Sequence, residues 1–92
     1  YPSDSRSEQL LADLTTIYFQ DGAYRETVTS AAQYIQQYPN GANQKQMIYL
    51  MGDAGLAMKN CELAKKSFTL LESKYSGYKD AAAKLKDANN CK

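Results

Sequence analysis

The chain contains no histidine and no tryptophan, only two cysteines and two prolines, and no apolar run longer than a few residues. Without histidine it lacks the commonest general base and the commonest metal ligand. Ser and Thr are plentiful, but no imidazole can activate them. Two Cys cannot by themselves fill a tetrahedral zinc site, and they are not arranged as Cys-x-x-Cys, so a redox pair is not expected. Gly-rich phosphate loops are missing. The carboxylates at Asp13, Asp21, Glu26, Asp53, Glu62, Glu72, Asp80 and Asp87 are scattered, as solvated faces and helix-start charges are. These absences argue against an enzyme: no catalytic residue, metal or cofactor is expected. Charge of one sign is lacking too. Eleven basic residues face 10 acidic ones, for a net charge of +1, which argues against a nucleic-acid or anionic-membrane surface. Lys59, Lys65, Lys66, Lys74, Lys79, Lys84 and Lys86 make the C-terminal half more basic, but interspersed acids make this a solubility feature. No stretch approaches the ~20 apolar residues of a membrane span. Tyr1-Pro2-Ser3-Asp4-Ser5 carries no initiator Met and reads as a mature or excised terminus.

What the chain does have is apolar residues at helical spacing almost throughout, 43% of its 92 residues being hydrophobic. After a tail over residues 1–6, a first helix is expected from about Ser7 to Gln20. Its inward stripe is Leu10, Leu11, Leu14, Ile17 and Tyr18; Ser7 or Ser5 is its cap, and Asp21-Gly22 its stop. A second runs from about Ala23 to Tyr38, with Tyr24, Val28, Ala31, Ala32 and Ile35 inward, and ends at Tyr38-Pro39-Asn40-Gly41. The third, about Asn43 to Met58, buries Met47, Ile48, Met51, Ala54 and Met58. Asn60 caps the fourth, about Cys61 to Tyr75, which turns Leu63, Ala64, Phe68, Leu71 and Tyr75 inward. A weaker fifth helix, from about Tyr78 to Asn89, carries Ala82, Leu85 and Ala88. The β-branched clusters Thr15-Thr16-Ile17 and Thr27-Val28-Thr29 oppose helix, but periodicity should override propensity there.

The helices repeat. Asp13-Leu14 falls on Leu50-Met51, and Gln37-Tyr38 on Lys74-Tyr75, a common offset of 37 residues. Helix pairs at a fixed offset are the signature of a helical solenoid, with an ordinary antiparallel bundle as the alternative. Met51-Gly52-Asp53-Ala54, then Ala64 and Phe68, resembles the tetratricopeptide (TPR) pattern: a large apolar residue and Gly in helix A, Ala and an aromatic in helix B. The first repeat departs from it at Thr15, where the family prefers Gly, and at Thr27, where it prefers Ala. The resemblance implies an all-α, right-handed solenoid of five helices forming one domain: repeat 1 over 7–40, repeat 2 over 43–77, and a capping helix over 78–90. It also implies packing roles: Gly52 for close approach of the paired helices, Ala64 for their tightest crossing, and Phe68 as the plug between repeats. The Ser30-Ala31-Ala32-Gln33-Tyr34-Ile35-Gln36-Gln37-Tyr38-Pro39-Asn40-Gly41 stretch, with a repeat longer than the common ~34, looks like periplasmic TPR proteins of the BamD and CpoB types, which serve outer-membrane assembly and envelope maintenance.

The two cysteines lie nearly equidistant from the Ser76-Gly77 turn. In an antiparallel pair they therefore sit at the same end, which predicts a Cys61–Cys91 disulfide; two ordinary half-buried thiols are the alternative. A disulfide would fit an oxidising compartment.

In the TPR family the A helices line the ligand groove. Its positions carried onto this chain are Gln9, Ala12, Thr16, Phe19 and Gln20; Gln46, Tyr49, Asp53, Leu56 and Ala57; and Asp80, Ala83 and Asp87. Phe19, Gln46, Tyr49, Asp53 and Leu56 are the candidates for partner contact. The expectation is a non-catalytic protein–protein interaction module, periplasmic or extracytoplasmic, that binds a protein or peptide in an envelope complex. It would take neither nucleic acid nor a small-molecule substrate, and homo-oligomers are possible. The rival expectation is a spacer or oligomerisation segment of a larger lipoprotein.

Overall fold

A computed structural model describes residues 5–91. They form five α-helices: α1 (Ser5–Gln20), α2 (Tyr24–Gln37), α3 (Gln44–Ala57), α4 (Cys61–Lys74) and α5 (Ala81–Asn89). There is no strand among the described residues. Linkers of three to six residues join consecutive helices, short enough to make neighbours antiparallel. Each helix packs on the next; α1 also touches α3, and α3 touches α5, whereas no Cα of α2 comes within 8 Å of α4 among the described residues. The odd-numbered helices therefore form one contiguous row. The result is a slab of 40 × 27 × 18 Å.

The helix ends follow local chemistry. After α1, the Ala23 N–H donates to Tyr18 O and the Gly22 N–H to Phe19 O. Gly22 takes the left-handed conformation (φ 77°) that this Schellman stop requires. The same two bonds follow α3, from Asn60 to Gly55 and from Lys59 to Leu56, but there Lys59 holds the left-handed position (φ 59°). The Asn60 side chain accepts the Leu63 N–H at 3.2 Å and caps α4. Gly77 (φ 83°) and Lys79 (φ 47°) keep the chain in turns, so α5 opens at Ala81, three residues later than periodicity suggests. α1 opens earlier, at Ser5, so Ser7 lies inside the helix and is not its cap. Residues 1–4 of the expected tail lie outside the described residues.

Two apolar clusters form the core. One joins Ala12, Ala31, Tyr34, Met47 and Leu50, the other Ile48, Ala64, Phe68, Leu71, Ala81 and Ala88. Ile35 packs against both. Burying the Phe68 ring alone is worth roughly 1.5–3 kcal/mol. A Cβ on Gly52 would lie 2.6 Å from Phe68 Cζ, so the ring needs a glycine on α3.

Several stripes differ from the periodic reading. On α1 the buried residues are Ala12 and Thr15; Leu10, Ile17 and Leu14 are 67%, 52% and 42% exposed. The cause is close approach to α2. Ala12 and Thr15 are small, and the Thr15 hydroxyl meets Ser30 Oγ across the contact. Threonine is tolerated because its hydroxyl can bond the carbonyl four residues back: Thr15 to Leu11, Thr16 to Ala12, Thr27 to Ala23 and Thr29 to Arg25. On α2 the buried set is Thr27, Ser30, Ala31 and Tyr34; Ala32 is exposed, and Tyr24, Val28 and Ile35 are half-buried. Met58 lies beyond the last turn of α3 and is exposed. On α5, Ala82 faces water and Ala81 takes the inward place.

Candidate functional site

Gln46, Tyr49, Asp53 and Leu56 recur every three or four residues along α3 and share one stripe. All four are half-buried. Tyr49 packs edge-on against Phe68 and Tyr78, with ring centroids 5.8 and 5.9 Å away. Its hydroxyl donates to the Asp80 carboxylate. One turn along, Asp53 Oδ1 meets Lys84 Nζ at 3.0 Å. The Lys79 ammonium stands 5.3 Å from the centres of both the Tyr49 and Tyr78 rings. Tyr49 and Asp53 thus fasten α5 onto α3. Leu56 packs against the Phe68 cluster, and Phe19, at the end of α1, against the Tyr34 cluster and edge-on to Tyr24 at 5.7 Å. Phe19, Tyr49 and Leu56 therefore do not stand clear of the core.

The electrostatics follow these contacts. Burial, then the hydrogen bond to Asp80, pushes the Tyr49 hydroxyl well above the ordinary tyrosine range. The Tyr49 hydroxyl in turn holds the Asp80 carboxyl below the usual carboxylate value. The bond to Asp53 raises the Lys84 ammonium, against a smaller opposing effect of burial.

A second polar network was not anticipated. Tyr34 is fully buried. Its hydroxyl donates to Glu8 Oε1 at 2.7 Å and accepts the Asn43 N–H at 2.9 Å. Glu8 Oε1 also accepts the Ala42 N–H at 3.1 Å. Burial, then the bond to Glu8, raises the Tyr34 hydroxyl. This network ties α1 to the loop between α2 and α3. The Thr27-Ala31-Tyr34 spacing carries the signal, hidden because Thr27 is not one of the large apolar residues that mark an inward stripe.

Cys61 and Cys91 form a disulfide, with Cα atoms 5.5 Å apart. At the α3–α4 contact Gly52 lies against the Phe68 ring, whereas Ala64 lies against Gly55, one turn further along α3; Ala64 and Phe68 are fully buried. Among the described residues, no three of His, Cys, Asp and Glu converge in a way that could hold a metal ion. No helix there is long and apolar enough to cross a membrane. Clefts open on other faces. One of about 290 Å³ lies between α1 and α2, lined by Leu11, Leu14, Tyr18, Arg25, Thr29 and Gln33; another follows the outer side of α4, along Glu62, Lys66, Thr69 and Leu70.

A comparison with family models found none that matches the chain, and a comparison with curated proteins found no match.

Proposed function

We propose that the chain is a TPR-like interaction module, a right-handed solenoid of two helix pairs and a capping helix. It binds a protein or peptide segment through the row formed by α1, α3 and α5. The observation that carries this reading is that row itself: α1 touches α3 and α3 touches α5, while the even-numbered helices stay apart. The Tyr49–Asp80 and Asp53–Lys84 links fix the row before any partner arrives, so little ordering entropy is lost on binding. Phe19, Gln46, Tyr49, Asp53 and Leu56 supply its partner-facing atoms. The disulfide supports an oxidising compartment, periplasmic or otherwise extracytoplasmic.

Truncating Tyr49 or Leu56 would disturb packing as well as binding, so the test uses positions on the row that belong to neither core cluster. A Gln46→Arg, Ala83→Arg double variant is expected to lose partner capture from an envelope extract with an unchanged melting temperature. Lys66→Glu, on the outer side of α4, should keep it. Capture that survives the double variant, or is lost equally in both, would reject the reading.

A further inference from the structure

The exposed side of α1 has a second use. Leu10, Leu14 and Ile17 stand in water with the four-then-three spacing of a coiled-coil seam. Clefts run beside them, lined by Leu11, Tyr18, Gln33 and Tyr38. The 37-residue repeat shows what such a surface accepts. Leu10, Leu11, Leu14 and Ile17 correspond to Met47, Ile48, Met51 and Ala54 on α3. There Met47, Ile48 and Ala54 are fully buried, and Met47 lies in the cluster that includes Ala31 and Tyr34 of α2. α2 lies antiparallel to α3, so the equivalent face of α1 has the form to receive one antiparallel helix.

We infer that this helix is α1 of a second copy of the chain, related by a twofold axis. The seam is self-complementary when paired antiparallel. The register that sets Leu10 opposite the partner's Ile17 also sets Arg6 opposite the partner's Asp21, and each pairing occurs twice. Opposite charges thus close both ends of an apolar stripe. A net charge of +1 adds little repulsion between copies. α1 is about 24 Å long at 1.5 Å per residue, so a one-helix seam falls below the ~1,200 Å² of stable interfaces. The dimer is therefore weak and concentration-dependent. The inference does not rest on the binding role of the α1–α3–α5 row, because a different side of α1 is used.

Sedimentation equilibrium of the intact, disulfide-bonded protein over a rising micromolar series tests it. The average mass should climb from one chain towards two. Leu14→Glu, at an exposed position, should keep its helical circular dichroism and weaken dimerisation at least tenfold. Asp21→Arg should weaken it several-fold, and Arg6→Asp with Asp21→Arg should restore it. A wild-type chain that stays monomeric throughout overturns the inference and leaves the face to some other helix. So does a dimer insensitive to Leu14→Glu, or a charge exchange that restores nothing.

Discussion

The two ends of the helix stack are finished in opposite ways. At the α5 end only nine residues make the helix, yet it is held by a disulfide, the Tyr49–Asp80 hydrogen bond, the Asp53–Lys84 bridge and the inward Ala81 and Ala88. Its outward residues, Ala82, Ala83, Lys86, Asp87 and Asn89, are small or polar. At the α1 end a 16-residue helix is anchored by small residues and the Glu8–Tyr34 network, and turns Leu10, Leu14 and Ile17 to water. A short helix buries too little to hold itself and needs cross-links. A long one can spare an apolar face. The α5 end is cross-linked and polar on its outer side, whereas the α1 end presents an apolar stripe.

The largest way to break that contrast is to remove the cross-link. The disulfide closes a separation of 30 residues, worth roughly 3–4 kcal/mol in the chain-entropy model. Cys61→Ser with Cys91→Ser should lower stability by about that amount. Hydrogen exchange should show α5 opening first while α1 keeps its protection. Equal loss of protection at both ends would show that α5 is not held locally.

Next comes the junction between the ends. Gly52→Ala gains about 1 kcal/mol of helix propensity but drives a methyl into the Phe68 ring. Overpacking of this kind costs about 1–3 kcal/mol, so a net loss is expected from denaturant melts, with the near-ultraviolet tyrosine signal altered as Tyr49 follows Phe68. A net gain would mean that the ring has room to move.

Alkaline pH should act on both ends and separate them. Tyr34, Tyr49 and Lys84 all have folded-state values raised above the unfolded ones. Their contributions are therefore complete below about pH 10, the unfolded range for Tyr and Lys, and are lost as pH rises through the folded values. Tyr49→Phe removes the tyrosine part of the α5-end share, leaving that of Lys84, and should flatten the fall in melting temperature; Tyr34→Phe removes the α1-end share. If neither changes the slope, the two hydroxyl networks do not govern alkaline unfolding.

Helix number and turn positions were legible in the sequence because breakers and apolar periodicity agree at Asp21-Gly22, Tyr38-Pro39-Asn40-Gly41 and Lys59-Asn60. The place of the cysteines was legible from their distances to the Ser76-Gly77 turn. The inward face of α1 was not. A search for large apolar residues finds Leu10, Leu14 and Ile17, whereas the helix packs through Ala12 and Thr15, whose smallness is the useful property. Tyr34 is hidden in the same way, since its stripe runs through Thr27. Of the candidate site, the α3 stripe could be read from spacing. Its links to Asp80 and Lys84 could not, because they depend on how α5 lies across α3.

The smallest expected effect is the sharpest test of the comparison. Leu10 and Met47 stand at the 37-residue offset from each other, yet one is 67% exposed and the other is fully buried. Met47→Ala should cost about 2–5 kcal/mol, as truncation in a packed core does. Leu10→Ala, measured in dilute solution where the chain is single, should stay within about 0.5 kcal/mol of the parent. At high concentration the Leu10 variant should fall behind the parent by the energy the seam contributes when α1 is covered. A Leu10→Ala cost near that of Met47→Ala even in dilute solution would mean that α1 already packs through this face, and the contrast between the two ends would disappear.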